Sequence, residues 1–527
     1  MTDFDALSDF DALPDFDAVS DFDYIIVGAG AAGSVLANRL SADPACRVLL
    51  LEAGLEYPGS QTPDFFRGRV LETGLSQTPG AMRLPEYYWT GVTARRTPDR
   101  EALPYIRGKG AGGSSTVNGM VAVRPERADL DGWARMGATG WGWDDLLPSF
   151  RRLESDLTYG DRPWHGSDGP IPIYREPESG WGDVDRALHD CGREDGYAEH
   201  DDYNEPGTTG LSRYPSNNTA DGRRVSTNLG YLDPARGRAN LTIRGQSQVA
   251  SVVIAGGRAV GVRLLDGSTV AVAPDGEVIL AAGAVHTPPI LLRSGIGPAE
   301  DLARLGIAQI ADLSVGEGMQ DHAICAIDFT PTQDRFYAED LRATNTTIRF
   351  SSGLPDTQPN DVVVLGTNHN YWFGNQNSGL AVQLNEAWTR GRLVLPSADP
   401  SVDPVLEHDL LSDPTDLARM QEGLDRAWDF LARPGFRKLM TGEPWGPRTT
   451  AEIRTQVKDV VHACSTARMG RPDDPAAVVD PRCRVLGVDG LRVVDASIMP
   501  KVVSANLHLT VIAMAEHASG LLLADRR

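Results

Sequence analysis

The chain has 527 residues, 41% hydrophobic and 23% charged, enough to bury a large core, and its length corresponds to two or three domain-sized units. Fifty basic residues against seventy-two acidic ones leave a net charge of -22, which repels phosphate backbones and anionic lipid and so excludes nucleic acid and the membrane as expected partners. The five cysteines, Cys46, Cys191, Cys325, Cys464 and Cys483, contain no CxxC pair, so neither a disulfide framework nor a metal cluster is expected, and a reducing cytoplasm is the expected compartment.

Residues 1–20 repeat a six-residue unit, "DFDALS", "DFDALP", "DFDAVS", and the first 23 residues hold eight Asp and no basic residue, the composition of a solvated, disordered acidic arm. Such an arm is either a docking tail for a protein partner or duplicated sequence of little consequence. It lacks the basic start and apolar core of a signal peptide, and no apolar run in the sequence approaches the roughly 20 residues needed to span a bilayer.

"YIIVG" is a short β-branched run bounded by glycine, the composition of a buried parallel strand. It leads into "GAGAAGSVLANRLS", where Gly28, Gly30 and Gly33 form GxGxxG at the head of an alanine-rich helix, and then into a second apolar strand, "CRVLLLEAG", ending at Glu52. Strand, glycine turn, helix, strand and terminal acid are the context a dinucleotide fingerprint requires. Glycine allows the pyrophosphate to approach, the helix N-terminus attracts its charge, and Glu52 can accept from the adenosine ribose. The motif alone does not distinguish NAD from FAD.

"RGKGAGGSSTVNGMVAVR", residues 107–124, is rich in Gly, Ser and Thr, and reads equally as a surface loop or as backbone passing close to a large flat or charged group. The tryptophans of residues 128–154 read as core. From about Asn240, period-two apolar patterning with Gly-Gly and Asp-Gly turns predicts antiparallel strands, followed by a strand and a helix begun by Pro288. Residues 327–448 mix strands such as "DVVVLG" and "GLAVQL" with a helix at "DPTDLARMQEGLDRAWDFLARP" and lack a phosphate signature, as expected of a second domain. "LRVVDASIMP" is a strand ending at Asp495, and "SANLHLTVIAMAEHASGLLLAD" becomes helical by Thr510, returning the C-terminus to the nucleotide domain.

Taken in order, "DYIIVGAGAAGSVLANRL", "LLLEAG", "GKGAGGSSTVNGMVAVR", "GAVHTPPILLRSGIGP", "VGEGMQDH", "HACSTARMG" and "LRVVDASIMP" resemble the glucose–methanol–choline (GMC) oxidoreductases, FAD-dependent enzymes that oxidise alcohols. Within that family the sequence looks closest to the hydroxymethylfurfural-oxidising and choline-oxidising branches. The resemblance implies an α/β fold with an α+β substrate part: a Rossmann-like FAD-binding domain in residues 21–150, 226–326 and 456–527, and a substrate-binding domain on an antiparallel sheet in 151–225 and 327–455. It implies that Gly28, Gly30, Ala31, Ala32, Gly33, Glu52 and Ala53 hold the ADP half and that Val249 touches the adenine. Gly112, Gly113, Ser114, Asn118, Gly119, Met120 and Val121 would surround the flavin. Asp495 and Ala496 would lie near the pyrophosphate and ribityl chain, with Val461, Leu507 and Thr510 at the remaining edges. Some members attach FAD through a histidine where this chain has Val117, so the FAD is expected to be non-covalent.

The family's pair against the reactive edge of the flavin matches His462 and Asn506, with His508 as the alternative within "NLH". Imidazole, with an ordinary pKa near 6.5, suits His462 as general base, and an asparagine amide can donate to the alcohol oxygen. The implied activity is oxidation of a primary alcohol to an aldehyde, possible continuation to the acid included, with oxygen or a quinone or protein carrier as acceptor. A non-redox lyase of the hydroxynitrile type shares the fold. Three departures touch the pocket wall: Val461 where a relative has tryptophan, Ser465 where the family has glycine, and Leu507-His508 in place of Pro-Asn. Tyr87, Tyr88 and Trp89 offer aromatic faces for a cationic or a ring substrate. His286 and His322 read as structural.

Overall fold

The computed structural model describes residues 21–68, 84–332, 342–369 and 377–526, and the acidic arm lies outside the described residues. Five strands form a parallel sheet in the spatial order Leu241–Arg244, Val48–Leu51, Tyr24–Val27, Glu277–Leu280, Leu491–Val493. Both faces of its central strands are covered, so "YIIV" and "VLLL" are buried at every position, as their unbroken apolar runs require. The helix Ala31–Leu40 leaves the first strand through Gly28, which holds φ 101°; a Cβ there would lie 2.7 Å from the carbonyl oxygen of Ala281.

Leu241–Arg244 does not belong to an antiparallel run. It extends the parallel sheet because the Asn240 amide donates to the carbonyls of Ser41, Asp43 and Cys46, which pins it beside Val48–Leu51. The predicted antiparallel strands are Val249–Ala255, Arg258–Leu264 and Thr269–Ala271, turning at Gly256-Gly257 and at Gly267, all with positive φ. The following helix starts at Gly283, well before Pro288. The prolines are tolerated inside it partly because the Ala284 carbonyl, which Pro288 cannot serve, accepts from the Thr466 hydroxyl at 2.8 Å.

A second sheet runs in the order Met440–Trp445, Ala323–Pro331, Ser378–Leu384, Val362–Thr367, Thr346–Phe350, Gly210–Arg213, Glu199–His200, with Lys458–Asp459 also paired to Ala323–Pro331. It is antiparallel except between Gly210–Arg213 and Glu199–His200. The segment boundaries at 326 and 456 fall inside this sheet, because Ala323–Pro331 crosses the first and Lys458–Asp459 follows the second. The helix Pro414–Ala432 packs on it, capped by Asp413, whose carboxylate accepts from the amides of Thr415 and Asp416.

The C-terminal helix begins at Leu507, three residues earlier than expected, with Asn506 extended at its N-cap. At 19 residues and mean hydropathy 1.4 it is long and apolar enough to cross a membrane, contrary to the sequence reading, yet 67% of its apolar window is buried inside the protein against Ala31–Leu40 and Trp143–Leu153. Glu516 marks it as a core helix: its buried carboxylate accepts from Arg39 and from the Tyr231 hydroxyl. Trp133, Trp141 and Trp143 are buried as expected, and the five cysteines are free and buried.

Candidate active site

A cavity of about 420 Å³ opens between the two sheets. Its nucleotide end is built by the first βαβ unit. Gly28, Gly30, Ala31 and Ala32 line it, and the first turn of the helix has no side-chain cap. A Cβ on Gly30 would meet nothing within 4 Å, whereas one on Gly33 would lie 1.8 Å from the Gly28 carbonyl oxygen. Gly30 therefore keeps the approach open, while Gly33, which does not line the cavity, lets the helix close on the strand.

Glu52 and Ala53 also line the cavity. The Glu52 carboxylate accepts from the amides of Ala29 at 2.8 Å, Gly54 at 2.8 Å and Gly110 at 2.9 Å, tying together the three loops that meet there. Val249, Asp495 and Ala496 line the wall. Asp495 joins elements far apart in sequence, accepting from the Gly283 amide and the Thr287 hydroxyl with one oxygen and from Ser497 with the other.

Gly113, Ser114, Asn118, Gly119 and Val121 reach the cavity, so residues 107–124 pass beside it and are not a surface loop. Gly112 and Met120 stand behind them: the Gly112 amide donates to Ala29, and Met120, at φ 58°, donates to the Asn118 side chain. Leu507 lines the cavity, and Thr510 is buried beneath it. Of the aromatic trio only Trp89 reaches the cavity, stacked on His286 at 3.9 Å between ring centroids. Tyr87 and Tyr88 do not line it and pack edge-on against Phe66.

At the inner end His462 meets Asn506, whose Nδ2 lies 3.3 Å from His462 Nε2. His508 also lines the cavity, but its Nε2 is buried without a partner among the described residues, so Asn506 and not His508 is the residue of "NLH" that meets the histidine. Tyr214 donates its hydroxyl proton to Asn506 Oδ1 at 3.1 Å, which leaves the amide N–H groups toward His462. On the other side of the ring, His462 Nδ1 lies 2.9 Å from Nδ1 of His322, and His322 Nε2 lies 2.9 Å from the Val503 carbonyl.

A carbonyl only accepts, so His322 carries its proton on Nε2 and presents a bare Nδ1; His462 must then carry its proton on Nδ1 and leave Nε2 unprotonated. The tautomer follows from the partners. Burial, then His322, then Arg107 hold His462 well below its ordinary pKa, and burial brings His322 down to about 4, so both rings are neutral at neutral pH. The sequence reading of His322 as structural misses this contact; the only signal is its place in "VGEGMQDH", a stretch that supports the family resemblance.

The backbone at this point is strained. Val461 holds φ 55°, which a β-branched residue adopts at a cost of about 1–3 kcal/mol. It is locked there by Arg107, which donates to its carbonyl, and by Asp321, which accepts from the amide of His462 at 3.0 Å and from the Tyr105 hydroxyl at 2.7 Å.

The helix turn without a side-chain cap, the open approach at Gly30 and the His508 Nε2 without a partner, all among the described residues, fit the phosphates and polar edge of a dinucleotide. Together with the parallel sheet, these features are those of a dinucleotide-binding fold. GMC oxidoreductase family models match residues 22–324 with their N-terminal part and residues 388–515 with their C-terminal part, and the chain belongs to the GMC oxidoreductase family, whose members are FAD-dependent oxidoreductases. It is 38% identical over 534 residues to a 5-(hydroxymethyl)furfural oxidase of Methylovorus sp. (strain MP688), covering 95% of this chain and 98% of that one. An oxygen-dependent choline dehydrogenase of Klebsiella pneumoniae subsp. pneumoniae is 34% identical over 549 residues, covering 94% of each chain. Among solved structures, pyridoxine 4-oxidase from Mesorbium loti superposes with a TM-score of 0.85 at 28% identity, covering 95% of this chain and 99% of that one.

Proposed function

We propose that the protein oxidises a primary alcohol to an aldehyde, with His462 as general base and Asn506 as the donor that holds the alcohol oxygen. The observation that carries this reading is the hydrogen-bond chain from Val503 through His322, which leaves His462 Nε2 unprotonated in the cavity, facing the Asn506 amide. Bound FAD supplies the acceptor for the hydride that leaves the carbinol carbon. The chain's own residues handle the proton and the oxygen: Nε2 takes the hydroxyl proton, and Asn506 donates to the oxygen as negative charge builds on it. The names of the relatives, a hydroxymethylfurfural oxidase, a choline dehydrogenase and a pyridoxine oxidase, support a small alcohol as substrate.

In the same reading, Gly28, Gly30, Ala31 and Ala32 take the pyrophosphate, Glu52 the ribose with its remaining acceptor capacity, and Val249 the adenine. Gly113 to Val121, with Asp495 and Ala496, would embrace the flavin and its chain. Val117 carries no nucleophile, so the FAD is held non-covalently. The test is the visible spectrum of the purified holoprotein mixed anaerobically with a panel of primary alcohols and then exposed to air. Bleaching by one alcohol class is expected and identifies the substrate; rapid recovery in air marks an oxidase and slow recovery a dehydrogenase. A fully loaded flavin bleached by no alcohol overturns the reading.

A further inference from the structure

With a net charge of -22, the molecule as a whole repels anions, yet one wall of the cavity carries the opposite sign. Just ahead of His462, the strand Lys458–Asp459 pairs with the start of Ala323–Pro331, setting Lys458 opposite Ile324. Both of these residues line the cavity, as do Arg96 and Arg100. Arg96 is accounted for: it donates to Asp459 and to the carbonyls of Ala94, Leu103 and Pro104.

Arg100 is different. Half-buried, its guanidinium makes one hydrogen bond, from Nη1 to the Val457 carbonyl at 2.6 Å, and no ion pair among the described residues, although it has five N–H donors. Burial, with Arg96 beside it, holds its pKa below the ordinary value. Burial does the same to Lys458, where Arg100 and Arg96 add to the effect against the pull of Asp328 and Asp459. Asp459, which also lines the cavity, and Asp328 answer part of this charge, but a half-buried guanidinium with a single hydrogen bond keeps N–H donors for a further anion. Lys458 belongs to the second sheet and Arg100 follows the strand Thr93–Arg95 of another sheet, whereas the glycine turn and helix N-terminus suited to a pyrophosphate belong to the parallel sheet. An anion at this wall therefore belongs to the substrate rather than to the cofactor.

We propose that Arg100, with Lys458, binds a carboxylate carried by the alcohol, so that the substrates are ω-hydroxy acids or similar carboxylated primary alcohols. This rests on the alcohol-oxidising reading of His462. Lys458 lies four residues from His462, which limits the Cα separation to about 14 Å and sets the reach between carboxylate and hydroxyl.

The test compares kcat/KM of the holoenzyme for ω-hydroxycarboxylates, from 4-hydroxybutanoate to 10-hydroxydecanoate, with that for their methyl esters, and titrates the flavin spectrum with hexanoate and with hexanamide. At the best chain length the acid is expected to exceed its ester by on the order of tenfold or more, as a charge-assisted hydrogen bond provides, with the preference shrinking in salt. Hexanoate is expected to perturb the flavin at lower concentration than hexanamide. Arg100→Gln should bring the acid-to-ester ratio toward one, with Arg100→Lys intermediate. Equal use of acid and ester, or a ratio unchanged in Arg100→Gln, overturns the proposal. If no alcohol bleaches the flavin yet hexanoate binds through Arg100, the anion site stands and the alcohol-oxidising reading fails.

Discussion

The contact between His322 and His462 makes a quantitative demand on catalysis. In His322→Ala the Nδ1 proton of His462 loses its acceptor in a buried place, and an unsatisfied buried donor costs about 1–3 kcal/mol. The ring escapes that cost by moving its proton to Nε2, which removes the lone pair that would take the alcohol proton. The reactive tautomer then becomes the minor one, and kcat/KM falls by roughly 5- to 150-fold. His322→Gln, whose amide oxygen can accept from Nδ1, should recover most of the loss.

A second readout separates this effect from general damage. Burial is the largest cause of the low His462 pKa, so in the wild type the acidic limb of kcat/KM lies below pH 6.5, and activity does not fall on this group's account between pH 6.5 and 8. Truncating His322 opens the site to water and removes its neighbour's charge effect, so the limb moves up toward pH 6.5. The assay is the pH profile of kcat/KM in fully flavin-loaded protein, with KM and kcat resolved separately. An alanine variant at wild-type rate, or a glutamine variant as poor as the alanine one with flavin content intact, would refute the tautomer argument.

Asn506→Ala should lower kcat/KM on the order of a hundredfold, as loss of one donor to a developing oxyanion does, with Asn506→His retaining more activity; flavin absorbance at equal protein checks that FAD stays bound. Gly30→Ala and Gly33→Ala should part company. The first has open space and an ordinary φ of -75°, so the protein folds with a near wild-type Tm but loses FAD affinity, whereas the second forces a methyl into the Gly28 carbonyl and destabilises by roughly 1–3 kcal/mol or more. Thermal melting with the ratio of flavin to protein absorbance distinguishes the two. Acid precipitation should leave the flavin in the supernatant, since Val117, buried at the cavity wall, offers no atom for attachment; a yellow pellet contradicts this.

The parts of the fold legible in the sequence are those whose physics is local. The first βαβ unit needs only an apolar strand, glycines at three positions and an acid at the end of the next strand, and each occupies the expected place. The antiparallel hairpins from Val249 are signalled by their own turns, but Leu241–Arg244 carries the same alternation and joins the parallel sheet through Asn240, a contact no periodicity contains. Pro288 reads as a helix start because prolines usually are; that the chain is helical before it depends partly on Thr466, far along the sequence. The apolar C-terminal helix is hard to read for the opposite reason: its polar positions, Glu516 among them, face partners that only the fold supplies.

The candidate site divides the same way. His462 and Asn506 are found by their motifs, but what fits one to the proposed role of base and the other to that of donor is supplied by residues remote in sequence. Asp321 and His322 are adjacent in the chain and act on the same residue: Asp321 fixes the backbone amide of His462, and His322 fixes the proton on its ring. The Tyr105 hydroxyl closes the arrangement, donating to Asp321 while accepting from the amide of Ala463. The strained turn at Val461 then has a physical reason. An extended residue there would lift the His462 amide off Asp321, so about 1–3 kcal/mol of backbone strain is offset by bonds that aim the ring. The dipeptide 321–322 thus sets both position and tautomer, and on the proposed reading His462 is prepared as a base before any alcohol enters.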